Sequence, residues 1–180
     1  MSDLQCAARL LIARHGEAEY ESPLLSDAGG SLSLTGRKQA EGLAESLTDA
    51  RVSAIYCSGL ARAVQTAEIV AARLGVVVRV RDQLRERDAG DHDARVPDGE
   101  SADEIRQRMA EELEAIVDLH RGETVLVVSH GGAIRVAVPQ LAANLADNFG
   151  TMHEVDNCAV VEMDADADAW VVRSWAGEPV

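Results

Sequence analysis

Two histidines of this 180-residue chain each follow a short apolar segment of strand length and precede a glycine. His15 lies in the segment Arg14–Gly16, and His130 lies in the segment Ser129–Gly131. A neutral imidazole is a nucleophile, and the arginine fork binds phosphoryl oxygens in bidentate fashion. One histidine at a strand end is usually a hydrogen-bonded structural residue. Two such endings, one with an adjacent arginine, favour phosphoryl chemistry through a phosphohistidine.

The elements that must position these histidines can be predicted from apolar periodicity, which alternates between strand-like and helix-like segments. The spacing predicts strands over 9–13, 53–57, 76–80, 124–129, 158–163 and 170–174, and helices over 35–48, over 61–74, from 101 and from 133, with an interruption at Pro139. The helix from 101 begins with a capping box, Ser101 to Glu104. Such alternation predicts an α/β fold, a three-layer α/β/α sandwich with a mostly parallel central sheet. The carboxyl ends of parallel strands share one edge, so both histidines are expected in one crevice.

Composition limits the function classes. Seventeen Lys and Arg against 31 Asp and Glu give a net charge of −14, which disfavours binding to nucleic acid. A hydrophobic content of 47% suffices for a core, but no run reaches the roughly 18 apolar residues of a membrane span. The start lacks the features of a signal peptide, and Cys6, Cys57 and Cys158 form no CxxC pair. We expect a cytoplasmic protein with reduced thiols, one domain over 1–180, and a monomer or homodimer.

A series of segments along nearly the whole chain resembles the histidine phosphatase superfamily, also called the phosphoglycerate mutase-like family. The segment around His15 resembles the signature of that family, and further segments occur in the family's order. The matching segments are Leu11–Glu17, Leu34–Ala40, Cys57–Ala67, Leu84–Glu86, Gly99–Ser101 and Val128–Gly132. No single one of them is specific, and the specificity lies in their order.

The resemblance implies a role for each residue that would contact the phosphoryl group. His15 would attack phosphorus, while Arg14, Arg62 and His130 would bind the phosphoryl oxygens and stabilise the transition state. The cationic neighbours are expected to keep His15 unprotonated. Gly131 lacks a Cβ, so its backbone is expected to approach the substrate closely. Neither a metal nor a cofactor is required.

Glu86 is the predicted general acid, because Leu84–Glu86 is similar to the segment that supplies the acid in the family. Glu86 lies in a charged run, and Asp88 and Glu17 remain alternatives. Asp91–Asp93 is rich in metal-binding types but lacks further spaced ligands. We therefore expect no metal site.

Two features depart from the family pattern. Ala18 and Glu21 stand where the family often has Thr and Asn, and a carboxylate at position 21 would repel a phosphoryl group unless it points away. Only eight residues, 91–98, lie between Gly90 and Gly99, where many relatives insert a helical lid. A shortened lid predicts an open, wet pocket, which favours a phosphatase over a mutase.

The sequence thus predicts a metal-independent phosphatase that hydrolyses the phosphomonoester of a small metabolite through a phosphohistidine intermediate. The alternatives are a protein phosphohistidine phosphatase and a catalytically weak phospholigand-binding module. A mutase is the third alternative.

Overall fold

The computed structural model of the chain describes residues 6–19, 30–86 and 100–180. In these ranges the strands are β1 (Ala8–Arg14), β2 (Ala18–Glu19), β3 (Ser31–Leu32), β4 (Val52–Cys57), β5 (Val78–Val80), β6 (Thr124–Ser129), β7 (Val160–Ala165), β8 (Trp170–Trp175) and β9 (Glu178–Pro179). The helices are α1 (Leu34–Ser46), α2 (Ala61–Leu74), α3 (Ala102–Leu119), α4 (Gly131–Leu141) and α5 (Phe149–Met152), with a short 3₁₀ turn over Asp82–Leu84.

Seven of these strands form the central sheet, in the order β5-β4-β6-β1-β7-β8-β9. The four strands β5, β4, β6 and β1 are parallel, as predicted. The last three strands run antiparallel to their neighbours. A tight turn, which suits an antiparallel pair, joins β7 to β8.

Alternating side chains of the buried strands divide the core into two halves. On β1, Leu10 and Ile12 pack with residues of α3 and α4, whereas Leu11 and Ala13 pack with residues of α1 and α2. A strand buried on both faces must be apolar at every position, which explains the continuous apolar runs. The three-layer α/β/α prediction is confirmed.

Helix α3 begins where the sequence predicted. Ser101 Oγ accepts the Glu104 N–H, and the Glu104 carboxylate accepts the Ser101 N–H, so the capping box is formed in full. Neither this 18-residue helix nor another in the described ranges is long and apolar enough to cross a membrane.

Helix α4 differs from its prediction at both ends. It begins at Gly131 instead of Ala133, and the expected interruption at Pro139 is wrong because the helix continues to Leu141. Proline cannot donate to the carbonyl four residues earlier, which here belongs to Arg135. Gly150 of α5 packs directly over this carbonyl, since a Cβ at position 150 would lie 2.0 Å from the Arg135 oxygen. The neighbouring helix thus covers the position that the proline opens.

Other boundaries also shift. Strand β5 begins at Val78 and strand β7 at Val160, each two residues later than predicted. Cys158 has a positive φ of 59°, which places it in a turn before β7. Apolar periodicity did not predict the β2–β3 pair, α5 or β9, because each of these elements is too short to show a period.

Two glycines of α1 differ in how closely other backbone packs against them, which provides a test of the packing around this helix. A Cβ on Gly36 would lie 2.0 Å from the Glu17 carbonyl oxygen, whereas a Cβ on Gly42 would meet nothing within 4 Å. We expect Gly36→Ala to destabilise the protein by at least about 1–3 kcal/mol through overpacking. The matched Gly42→Ala should stabilise it by about 0.5–1 kcal/mol. Chemical denaturation checks both, and equal effects at the two positions would contradict the close approach.

Candidate active site

The two predicted histidines lie side by side at the carboxyl edge of the sheet. Strands β1 and β6 are adjacent and parallel, and Arg14 is in register with Ser129. The next residues, His15 and His130, are both buried, with ring centroids 5.0 Å apart in an edge-to-face arrangement. The expectation that parallel strands bring this pair into one crevice is confirmed.

The hydrogen bonds of His15 fix its tautomer. Its Nδ1 lies 2.7 Å from the Gly16 carbonyl oxygen, which can only accept, so Nδ1 carries the proton. Its Nε2 accepts the Nε–H of Arg62 at 3.1 Å and therefore presents a lone pair. The ring is oriented as a nucleophile requires, with Nε2 facing the guanidinium.

Burial favours the neutral form of His15. Desolvation is the main cause that lowers its pKa from 6.5 to about 4, and the positive charges of Arg62 and Arg14 add to this lowering. The hydrogen bond to the Gly16 carbonyl acts in the opposite direction. The cationic neighbours contribute as the sequence suggested, but burial outweighs them.

His130 is also held neutral. Burial, followed by the influence of His15 and nearby arginines, lowers its pKa to about 2. Its Nε2 lies 2.8 Å from Ser58 Oγ, which also accepts the Leu60 N–H. The Ser58 hydroxyl can donate to Nε2, and the ring proton then sits on Nδ1. Among the described residues Nδ1 has no hydrogen-bond partner, so it is suited to donate to a phosphoryl oxygen.

Arg14 is anchored from the opposite side of the site. One Nη donates to the Val155 carbonyl at 2.9 Å, while the buried Nε has no hydrogen-bond partner within the described residues. Its side chain packs against Gly131, where a Cβ would lie 3.3 Å from Arg14 Cδ. The space that Gly131 leaves is thus occupied by the arginine. Asn157 supports the loop that follows β1 by donating to the His15 carbonyl at 2.9 Å.

Arg62 enters the site from the first turn of α2 and is 3% exposed. Thr66, one turn later, donates to the Arg62 carbonyl at 2.8 Å and accepts the Gly16 N–H at 3.1 Å. This threonine couples the helix that carries Arg62 to the loop that carries His15. An arginine at a helix start is ordinarily solvated, but this one is buried and oriented.

Glu86 lies at the N-terminus of α4. Its carboxylate accepts the Ala133 N–H at 2.9 Å and the Gly132 N–H at 3.3 Å. A Cβ on Gly132 would lie 2.6 Å from Glu86 Oε1, so a larger residue at this position would displace the carboxylate. The helix that starts after His130 thus brings the predicted acid next to the second histidine.

The other candidates are placed less favourably or lie outside the described ranges. Glu17 is exposed, and its carboxylate accepts the Ser33 hydroxyl at the start of α1. Ala18 forms part of the small β2–β3 pair. Asp88, Glu21 and the 91–98 segment lie outside the described residues.

Metal-binding side chains do not cluster in the part of the chain that the structure describes. Within 6–19, 30–86 and 100–180, no group of three or more His, Cys, Asp or Glu could hold a metal ion. Asp91–Asp93 falls outside those ranges. His120 bonds to Tyr56, and His153 stacks on Phe149 with ring centroids 3.8 Å apart, so neither belongs to the site.

Three supporting residues of the site, Ser58, Thr66 and Asn157, were not predicted from the sequence, although the first two lie in the matching segment Cys57–Ala67. Ser58 directly follows β4, the third parallel strand that ends at this edge. Its position after a parallel strand could have indicated that Ser58 belongs to the site. Asn157 had none, since it lies in a loop between α5 and β7.

We expect NMR titration of the folded protein to show His15 titrating near pH 4. In urea, the unfolded chain should show the ordinary value near 6.5. Between these values the unfolded state binds more protons, so the free energy of unfolding should fall as pH drops from 6.5 to 4. His15 should account for about 3 kcal/mol of this loss. A His15 resonance that titrates above pH 6 in the folded protein would contradict the buried, neutral state.

Comparison with known proteins agrees with this geometry. The model of the histidine phosphatase superfamily (branch 1) matches residues 10–95 and 89–177. Phosphoglycerate mutase-like protein 4 of Arabidopsis thaliana is 31% identical, over 93% of this chain and 84% of the relative.

Two solved structures are also similar. Bacillus stearothermophilus YhfR gives a TM-score of 0.82 at 25% identity, covering 94% of this chain and 97% of the other. A mycobacterial glucosyl-3-phosphoglycerate phosphatase in complex with VO3 gives 0.78 at 27% identity, covering 93% and 98%. The chain therefore belongs to the histidine phosphatase superfamily, branch 1, and is an enzyme of that phosphatase class.

Proposed function

We propose that this protein is a metal-independent phosphatase that hydrolyses the phosphomonoester of a small metabolite through a phosphohistidine on His15. The observation that carries the proposal is the orientation of the His15 ring. The Gly16 carbonyl holds the proton on Nδ1, and Nε2 presents its lone pair towards Arg62. Arg14 and His130 complete a polar pocket around this nitrogen.

In the first step, His15 Nε2 attacks phosphorus and the bond from phosphorus to the ester oxygen breaks. The Arg62 guanidinium exchanges its hydrogen bond to Nε2 for bonds to phosphoryl oxygens, as Arg14 and His130 Nδ1 also bind them. These donors are in place before the reaction and stabilise the charge of the transition state. Glu86 donates a proton to the departing oxygen, so the leaving group departs as an alcohol.

In the second step, water attacks the phosphohistidine. Glu86, now a carboxylate, accepts a proton from this water while the bond between phosphorus and Nε2 breaks. Inorganic phosphate is released, and His15 returns to its neutral state with the proton on Nδ1. The lowered pKa of His15 favours this step, because a poorly basic imidazole is a good leaving group.

The length of one segment favours hydrolysis over a mutase reaction, and the names of two relatives support the substrate class. The segment between Gly90 and Gly99 holds only eight residues, which is short for a lid that must retain an intermediate. One similar structure is named as a glucosyl-3-phosphoglycerate phosphatase, and the Arabidopsis relative is named as a phosphoglycerate mutase-like protein. Both names support a small phosphorylated metabolite as the substrate class.

The first test is the hydrolysis of p-nitrophenyl phosphate in excess EDTA. We expect turnover to survive EDTA and His15→Ala to lose essentially all of it, because the intermediate forms on this imidazole. His153→Ala removes an exposed histidine outside the site and should retain wild-type activity. The stability of the protein-bound phosphate in acid and in base should also be measured. A phosphohistidine resists base, so we expect the bound phosphate to survive base treatment.

The outcomes separate the alternatives. Activity abolished by EDTA, or substantial activity in His15→Ala, would overturn the proposal. Turnover of a phosphohistidine protein without turnover of small esters would support the protein-directed alternative. Phosphate binding without any turnover would support the binding module.

A second test addresses the acid. We expect Glu86→Gln to reduce kcat/KM for phenyl phosphate by about 100-fold or more, but to affect kcat/KM for p-nitrophenyl phosphate far less, since nitrophenolate departs without a proton. This parameter excludes the second step, in which Glu86 is the base for both esters. Glu17→Gln is the matched control for the rejected carboxylate and should change neither rate. Equal losses on both esters in Glu86→Gln would assign the acid to another residue.

A further inference from the structure

A buried ion pair between Arg108 and Glu100 lies next to the segment that carries Glu86. Arg108 Nε lies 2.5 Å from Glu100 Oε1 and one Nη lies 2.7 Å from Oε2, so the contact is bidentate. The two side chains are only 8% and 9% exposed. Glu100 belongs to the segment Gly99–Ser101, which matches the family but has no role in the two steps of the proposed reaction.

The same guanidinium also binds the backbone around the acid. Its Nη1 donates to the Gln83 carbonyl at 2.5 Å, and its Nη2 donates to the Glu86 carbonyl at 3.2 Å. Ser129 Oγ donates to the Leu84 carbonyl, between them, at 2.8 Å. Three carbonyls at the end of the 3₁₀ turn are thus satisfied by side chains of α3 and β6.

These contacts have a physical cause. A 3₁₀ turn of three residues leaves its last carbonyls without helical partners, and a buried carbonyl needs a donor. The planar arginine fork can reach two carbonyls and a carboxylate at once, which a lysine cannot do. Glu100 orients the fork, and Arg85 adds a second contact to Glu100 at 3.7 Å.

We propose that Arg108, oriented by Glu100, is a positioning residue for Glu86 and sets the direction in which its carboxylate meets the leaving group. This inference rests on the proposed role of Glu86 as the acid. One side of the acid is held by the amides of Gly132 and Ala133, and the backbone on the other side is held by Arg108. The ion pair also joins the chain just before residue 87 to the chain just after residue 99.

A role in stability alone leads to a different prediction. A buried ion pair is weak grounds for expecting stability, because desolvation opposes the Coulombic gain. If Arg108 served only the core, its loss would lower all rates equally through unfolding. If it positions the acid, its loss should be selective for esters that need protonation.

The test compares kcat/KM for phenyl phosphate and p-nitrophenyl phosphate, well below the unfolding temperature of each variant. We expect Arg108→Met to lose about 10- to 100-fold on phenyl phosphate, as a displacement of the acid near 1 Å would cause, and less than about 3-fold on p-nitrophenyl phosphate. Arg108→Lys keeps the charge but not the fork, and should show an intermediate, equally selective loss. This second variant keeps the test valid if Arg108→Met does not fold.

Two variants of the same helix serve as controls. Arg106→Met removes a partly exposed arginine that pairs with Asp103, and both esters should be hydrolysed at the wild-type rate. Met109→Ala opens a cavity in the core beside Arg108, so it should lower stability without changing the ratio of the two rates.

The double variant Glu86→Gln/Arg108→Met separates the two roles. We expect it to be no slower on phenyl phosphate than Glu86→Gln alone, because the acid that Arg108 positions is already absent. Additive losses, or equal losses on both esters in Arg108→Met, would overturn this inference while leaving the acid role intact. Equal losses in Glu86→Gln as well would overturn the acid role and the inference together.

Discussion

The site depends on the parallel pairing of β1 with β6. With Arg14 opposite Ser129, the next residue of each strand is a histidine, and both rings enter the same buried space. The same pairing places Glu86, the proposed acid, because α4 starts directly after His130 and its first amides bind this carboxylate. A shift of one residue in this register would direct one imidazole to the other face of the sheet. The proposed catalytic arrangement is therefore a consequence of strand pairing.

Burial reconciles an acidic protein with a cationic site. The chain carries a net charge of −14, yet Arg14 and Arg62 lie beside His15. Desolvation keeps the imidazoles neutral, so the positive charge of the site comes from the two guanidinium groups. At contact distance these local charges outweigh the distant carboxylates, which solvent and salt screen. The phosphoryl group of the proposed substrate would thus meet a positive pocket on a negative molecule.

Close backbone approaches hold this pocket in shape. Gly16 packs on the Gly36 carbonyl, and Gly132 makes room for the Glu86 carboxylate. At Gly16 and Gly131, other protein groups lie close to the position that a Cβ would take, while the expected approach of the Gly131 backbone to substrate stays a prediction. The same close packing lets Thr66 bond to both the His15 loop and α2. Rigid packing of this kind keeps the donors oriented before substrate binds.

The layers of the fold could be predicted from apolar periodicity alone, because periodicity reports which faces of an element are buried. The pairing of His15 with His130 could be predicted as well, since the strand ends of a parallel sheet meet at one edge. The tautomer of His15 could not, because it depends on the ring turning Nδ1 towards the neighbouring Gly16 carbonyl and Nε2 towards Arg62, which is distant in sequence. The contacts of Arg108 could not either, because they join α3 to the backbone carbonyls of Gln83 and Glu86. The same holds for the continuation of α4 through Pro139, where Gly150 covers the carbonyl that the proline cannot bond. Periodicity describes burial along one element, whereas hydrogen-bond partners come from several elements at once.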